Sequence, residues 1–191
     1  TSDSIPIEET LDALGELVKQ GKVRQIGLSN ETPWGTMKYL ELSETRSLPR
    51  VVSIQNAYNL VNRGFEIGLS EIAMQEQVGL LAYSPLAQGT LTGKYLDGQI
   101  PQGSRMALFG DGPLMMRYKG EKTQKAIEMY VDIAKKFEID PTQLAIQFCN
   151  IQPFVTSNII GATTMEQLKI CIDSIHCLLY TSDAADEHSW G

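Results

Sequence analysis

Two cations stand in a loop of a composition that can hold an anion. Residues 80–105, LLAYSPLAQGTLTGKYLDGQIPQGSR, carry Lys94 and Arg105 among Gly89, Gly93, Gly98 and Gly103. Glycine takes positive φ and admits close backbone approach. The N–H groups from Leu86 to Gly89 can therefore turn toward negative charge. Holding a phosphate is the chemistry such residues suit. A solvated surface loop whose cations bind nothing is the other reading open at this point, although long ordered loops are usually functional. The loop needs a launching element. Residues 79–83 (GLLAY) are too few for a helix and lack polar alternation, which predicts a strand buried on both faces. Ser84-Pro85 ends it, because Pro85 has no N–H to give a ladder.

The flanking elements follow one rhythm. The stretch 5–22 holds a predicted amphipathic helix, with Pro6, Glu8 and Glu9 in its first turn, Leu11, Leu14, Leu17 and Val18 on one face, and Gly21 to close it. Residues 23–28 (VRQIGL) predict a strand that delivers Ser29-Asn30, and Thr32-Pro33 then caps and opens a helix to about Arg46. A second strand is expected at 51–55 (VVSIQ), a polar turn at 56–64, and a helix at 65–77 with Ile67, Ile72 and Ala73 inward. Beyond the long loop, 123–138 predicts a helix whose stripe is Ala126, Ile127, Tyr130, Ile133, Ala134 and Phe137, its aromatics in the core. Asp140-Pro141 with Gln143 opens another to about Asn150. A fourth strand at 156–160 turns through Gly161 into a last helix, where Thr163 with Glu166, or Thr164 with Gln167, has capping-box spacing. Leu168, Ile172 and Ile175 are expected to face inward there.

The 191 residues are 42% hydrophobic and 20% charged, which fits one globular core. A net charge of −7, with no block of Lys or Arg, argues against a nucleic-acid partner. No apolar run approaches the ~20 residues of a membrane span, and residues 1–9 lack a secretory pattern, so the expected compartment is the cytoplasm. Cys149, Cys171 and Cys177 have no metal-ligand spacing and read as small hydrophobes.

Strands alternating with helices demand parallel strands and crossover helices. A doubly wound dinucleotide fold would show GxGxxG after a strand, and this chain has none, which favours a (β/α)8 barrel. A whole barrel takes eight strands in roughly 250 residues, so four strands predict half of one. In such a fold the chemistry gathers at the carboxyl ends of the strands. There the sequence sets Ser29, Asn30, Gln55, Asn56, Tyr83, Ser84, Gly161 and Thr163. Amides, hydroxyls and one ring are poor acid–base reagents, but they suit holding a flat carboxamide-bearing ring; capped turns and a packed tyrosine would use the same residues.

GKVRQIGLSN (21–30), QNAYNLVNR (55–63), LAYSPLAQGTLTGKY (81–95) and IIGATTMEQLK (159–169) together resemble the second half of an aldo-keto reductase. The likeness is to the branch with a long loop after the seventh strand, which holds bacterial reductases and potassium-channel beta subunits. It implies strands 5–8 of a (β/α)8 barrel over residues 1–176 and an oxidoreductase that binds NADP(H). The resemblance puts Ser29, Asn30 and Gln55 on the nicotinamide carboxamide and Tyr83 against its ring. Ser84, Pro85, Leu86, Ala87, Gln88, Gly89 and Lys94 then line the pyrophosphate, while Arg105, Thr163 and Gln167 lie toward the adenosine and its 2′-phosphate, with Gly161 also expected among the cofactor-binding residues. Ile170 and Cys171 replace the family's usual Glu-Asn, which removes polar contacts to the adenine.

The family's Asp, Tyr, Lys and His tetrad belongs to the first four βα units, so no catalytic residue is placed here, and neither His176 nor His188 can stand in. The expected whole protein reduces a small carbonyl substrate. The chain alone is expected to be inactive and, with two open sheet edges, to self-associate. A cofactor-sensing module and an inert barrel fragment are the alternatives. Residues 177–191 read as a disordered tail, or as a non-native one, since LLYTSDAADE resembles translated adapter read-through. On that reading the chain is truncated at both ends.

Overall fold

The computed structural model describes residues 5–110 and 112–177, and the chain divides into two compact units. The first comprises the residues up to Tyr58 with Asn62–Tyr83 and Gln152–Ile159. It contains α1 (Ile7–Lys19), β1 (Ile26–Ser29), α2 (Pro33–Thr45), β2 (Val51–Ala57), α3 (Leu69–Gln75), β3 (Gly79–Tyr83) and β4 (Val155–Ile159). All strand pairs are parallel, in the order β1-β2-β3-β4. Neighbours in sequence are thus neighbours in the sheet. This is how a (β/α) barrel segment runs, and it lacks the order reversal of a doubly wound sheet.

The helices start where local chemistry permits. The Thr32 hydroxyl accepts a hydrogen bond from the Gly35 N–H at 3.0 Å, and Pro33 occupies the first turn of α2, where its missing N–H costs nothing. In α1, Leu11 is fully buried, while Leu17 keeps 36% of its surface exposed. The unit's core gathers Val51, Ile54, Leu80 and Ala82 from the sheet with Tyr58, Phe65 and Phe154. The Phe154 ring meets Tyr58 edge-on at 5.3 Å and Phe65 at 5.6 Å.

Three expectations need correction in this unit. The first strand begins at Ile26 rather than Val23, because Ile26 sits opposite Val51, the first residue of β2, and residues 23–25 have no ladder partner. The helix expected at 65–77 is broken into a 3-10 turn, Gly64–Glu66, and α3. Gly68 between them takes φ of 89° against Pro33, which swings Ile67 out to 81% exposure and leaves Phe65 and Leu69 as the buried residues. Finally, only one face of β3 is fully buried: Leu80 and Ala82 are sealed, whereas Leu81 and Tyr83 are half-buried.

The second unit comprises Asn59–Val61, Ser84–Ile151 and the residues from Ile160 on. The expected long loop is built of 3-10 turns at Ala87–Thr92 and Leu96–Gly98 and of two short helices, α4 (Arg105–Phe109) and α5 (Pro113–Met116). Ser104 caps α4 by accepting from the Ala107 N–H at 3.3 Å. α6 (Glu121–Lys136), α7 (Pro141–Asn150) and α8 (Met165–Asp173) follow. Asp140 caps α7, accepting from the Thr142 N–H at 2.7 Å. Ala87, Leu91, Tyr118, Ile127, Val131 and Ala145 form the core.

The buried row of α6 is Ile127, Val131 and Ala134, an i, i+4, i+7 stripe rotated from the predicted one, so Ile133 and Phe137 are exposed and Tyr130 is only partly covered. In α8 it is Cys171 that is buried. Ile172 is exposed beside it, and Ile175 falls in the 3-10 turn Ser174–His176, where the helical period has ended. Cys149 and Cys171 are buried thiols in no disulfide, as small hydrophobes are, and Cys177 is half-buried. Apart from Cys177, the reading of the 177–191 tail lies outside the described residues.

Candidate functional site

The sheet of the first unit sets one group of candidates in register. Ser29 lies beside Gln55, Gln55 beside Leu81, and Leu81 beside Ser157, all on one face near the strands' carboxyl ends. Tyr83 lies two residues beyond Leu81 on that face. The Tyr83 hydroxyl donates to Asn30 Oδ1 at 2.9 Å, and Asn30 Nδ2 donates to Ser29 Oγ at 3.1 Å. Asn30 reaches this position in the left-handed region, at φ of 52°, with its N–H held by the Gln55 carbonyl at 2.9 Å. Asparagine bears that conformation better than most residues. The Gln55 side chain bonds to no described residue, so its amide keeps a donor and an acceptor for something else. With its hydroxyl engaged, Tyr83 offers a ring face rather than a proton.

The turn after β3, in the second unit, is a run of unusual backbone. Ser84, Ala87 and Gln88 have φ of 54°, 48° and 60°, and Gly89 follows at 92°. For residues other than glycine this costs roughly 1–2 kcal/mol each, and such strain persists only where the surroundings impose it. The Ala87 and Gly89 N–H groups turn inward onto the Ser84 and Leu86 carbonyls at 2.9 and 2.8 Å. That corrects the expectation that all four amides from Leu86 to Gly89 face an anion: only those of Leu86 and Gln88 have no backbone acceptor among the described residues. Pro85 and Ala87 are buried, the latter in the core, and serve as anchors.

Both cations sit on this turn. A Cβ placed on Gly89 would lie 3.0 Å from Lys94 Nζ, so the glycine makes room for the ammonium. The Arg105 guanidinium donates to Gln88 Oε1 at 2.9 Å, and Gln88 Nε2 in turn donates to Ser84 Oγ at 2.7 Å. Gly161 approaches the same guanidinium, a Cβ there lying 4.0 Å from Arg105 Nη2. Neither Lys94 nor Arg105 meets a carboxylate among the described residues. Thr163 and Gln167 are occupied with each other: the Thr163 N–H and hydroxyl both donate to Gln167 Oε1 at 3.0 Å, while Thr164 caps α8 by accepting from the Gln167 N–H at 3.2 Å. Of the two capping alternatives, the Thr164–Gln167 pair is therefore the one formed.

Sequence reasoning passed over Asn59. It is fully buried, donates to the Ser84 carbonyl at 2.9 Å and to the Tyr118 hydroxyl at 3.2 Å, and accepts from the Val61 N–H at 3.1 Å. Its signal lay inside the quoted QNAYNLVNR run, as a polar residue among apolar neighbours. In the first unit the same run supplies Tyr58, whose hydroxyl donates to Glu66 Oε1 at 2.7 Å. The Arg63 guanidinium, at 2.7 and 2.8 Å from the two Glu66 oxygens, holds that carboxyl below its ordinary pKa despite the opposing effect of burial, and the Tyr58 hydroxyl adds to the lowering. Burial alone pushes the Cys149 thiol up to about 12, so it is an inert group.

Comparison with known proteins gives these clusters a context. The chain is 52% identical over 176 residues to Protein tas of Escherichia coli (strain K12), which takes in 92% of this chain and 50% of that protein. It is 34% identical over 183 residues to L-glyceraldehyde 3-phosphate reductase of the same organism, 94% of this chain and 52% of the reductase. It is also 32% identical over 164 residues to a probable voltage-gated potassium channel subunit beta of Oryza sativa subsp. japonica, 85% of this chain and 50% of the subunit. The chain thus spans about half the length of these relatives. The Aldo/keto reductase family profile matches residues 2–188, and the chain belongs to that family.

Proposed function

We propose that this chain is the dinucleotide-binding half, strands 5–8, of an NADPH-dependent reductase of aldehydes or ketones. The observation that carries the reading is the pair Lys94 and Arg105, two cations with no carboxylate partner among the described residues, seated on a left-handed turn whose Leu86 and Gln88 amides have no backbone acceptor. That donor set fits a phosphate-bearing group: it offers charge and N–H donors, with Gly89 making room for the Lys94 ammonium. When bound, the dinucleotide supplies a hydride to a carbonyl carbon.

The chain's own residues bind and orient. Lys94 and the two amides hold the pyrophosphate, and Arg105, fixed by Gln88, holds the adenosine end. Gln55 and Ser29 meet the carboxamide of the nicotinamide, and the Tyr83 ring, braced by Asn30, supports its face. Thr163 contributes less than the resemblance implied, because both its donors are already used within the chain. The reductase named among the relatives, L-glyceraldehyde 3-phosphate reductase, supports carbonyl reduction. The proton donor of the reaction belongs, on this reading, to the half of the barrel that this chain does not carry, and the isolated chain is inactive.

Fluorescence titration of the full-length protein with NADPH tests it. Lys94→Ala is expected to weaken binding by ~1.5–3 kcal/mol, the worth of a charged hydrogen bond. Unchanged affinity in both Lys94→Ala and Arg105→Ala would refute the reading.

A further inference from the structure

We propose that Asn59 is a positioning residue for dinucleotide binding: from within the core it holds the anion-binding turn in its left-handed conformation and ties that turn to the segment around Tyr118. The proposal rests on the phosphate-binding reading of residues 84–94 given above. Asn59 is fully buried and cannot touch a ligand. Taking a primary amide out of water is costly unless every polar atom finds a partner. Here each does: one N–H goes to the Ser84 carbonyl, the other to the Tyr118 hydroxyl, and the amide oxygen receives the Val61 N–H. All the partners are groups of the same compact unit, and two of the three are backbone.

The Ser84 carbonyl matters most. It accepts from both Asn59 and the Ala87 N–H, at 2.9 Å each, which fixes the peptide plane leading into Pro85. From that plane the chain passes through left-handed Ala87, Gln88 and Gly89. Conformations of this cost need a surrounding structure that over-determines them, and Asn59 is the side chain that grips the turn from below. Its second partner widens the reach. Tyr118 is buried in the cluster that holds Ala87 and Leu91, and its carbonyl accepts from the Gln124 amide at 2.6 Å. The turn, Asn59, Tyr118 and the start of α6 are therefore one hydrogen-bonded strut, and the Leu86 and Gln88 amides are aimed by it.

The test uses the full-length protein, NADP+ as the probe, and the double variant Asn59→Leu/Tyr118→Phe. This replaces the Asn59–Tyr118 pair by apolar groups, while the Val61 N–H and one of the two bonds to the Ser84 carbonyl are left unmet. The thermal midpoint is expected to fall, as it does for the control below, with the folded state intact. The NADP+ dissociation constant is expected to rise about tenfold, the equivalent of no longer holding one strained residue in place. Hydrogen exchange of the residue 84–92 amides is expected to quicken, while that of α2 does not change. Ser43→Ala serves as a control that weakens an unrelated buried hydrogen-bonded site, since the Ser43 hydroxyl donates to the Tyr39 carbonyl at 2.8 Å; it should lower the midpoint and leave NADP+ binding alone.

Should the double variant not fold, Tyr118→Phe by itself is expected to speed the same exchange and to weaken binding about threefold, as loss of one neutral hydrogen bond allows. A folded variant with the parent's dissociation constant and the parent's exchange overturns the proposal. Failure of the parent protein itself to bind NADP+ overturns the phosphate-binding reading, and the proposal with it, so the two failures are told apart.

Discussion

Replacing Gly89 by alanine separates backbone strain from displacement of a cation. At φ of 92° the new residue lies beyond the ordinary left-handed basin, and its Cβ would meet Lys94 Cε and Nζ at 3.0 Å. The backbone penalty is roughly 1–2 kcal/mol of stability. The contact adds little strain, because the far end of a lysine moves freely, but the ammonium must leave the turn. If Lys94 supplies a charged hydrogen bond to phosphate, worth ~1.5–3 kcal/mol, its displacement raises the NADPH dissociation constant about 10- to 150-fold. Gly103→Ala is the matched comparison: its φ of 73° brings a similar backbone cost, yet nothing lies within 4 Å of the added methyl. Both variants should lose thermal stability by similar amounts in the full-length protein, and only Gly89→Ala should lose affinity in a fluorescence titration. Equal dissociation constants for the two variants would refute the placement of Lys94 over a phosphate.

Two further outcomes are expected. Because Arg63 holds the folded-state pKa of Glu66 below its ordinary value, the interaction stabilises the fold above the unfolded pKa and is lost as pH falls through the folded one; Glu66→Gln should therefore flatten the acid limb of a stability–pH profile, and an unchanged limb would contradict the assignment. Cys149, sealed in the core with its thiol pushed up to about 12, should resist a thiol reagent under native conditions while half-buried Cys177 reacts first, as mass spectrometry of partly labelled protein would show.

The strands were legible because each is a short β-rich run closed by a polar residue: 79–83 is β3 to the residue, and β2 exceeds its expectation only by Asn56 and Ala57. The strand ends that carry Ser29, Gln55 and Tyr83 could be named for the same reason. What the sequence hid was set by tertiary partners. Val23 has β propensity but no strand beside it; Phe137 fits a helical stripe but lies off the buried row of Ile127, Val131 and Ala134. Ile67 fits a helical period that Gly68 interrupts by packing on Pro33. Within the site, the turn was visible through its glycines, yet three of its left-handed positions are Ser84, Ala87 and Gln88, residues that no propensity assigns there. Only the hydrogen bonds from Asn59 and within the turn account for them, and the one from Asn59 to Ser84 joins residues 25 apart in sequence.

That mismatch between residue type and conformation also bears on why the turn is built this way. Glycine at 84, 87 and 88 would remove the strain, but it would leave the turn many conformations when no ligand is present, and binding would have to select one of them. With Ser84, Ala87 and Gln88 in place, each side chain does work that glycine could not: Ser84 Oγ receives the Gln88 amide, Gln88 Oε1 holds the Arg105 guanidinium, and the Ala87 methyl is sealed in the core. The strain is the cost of an ordered cradle, and it is offset by burial and by the buried amide of Asn59. A turn ordered in advance loses less entropy when it takes up a charged ligand, and it seats Lys94 against Gly89 and Arg105 on Gln88 with no carboxylate beside either among the described residues. A purely structural turn gains nothing from that arrangement, whereas one that receives a phosphate does.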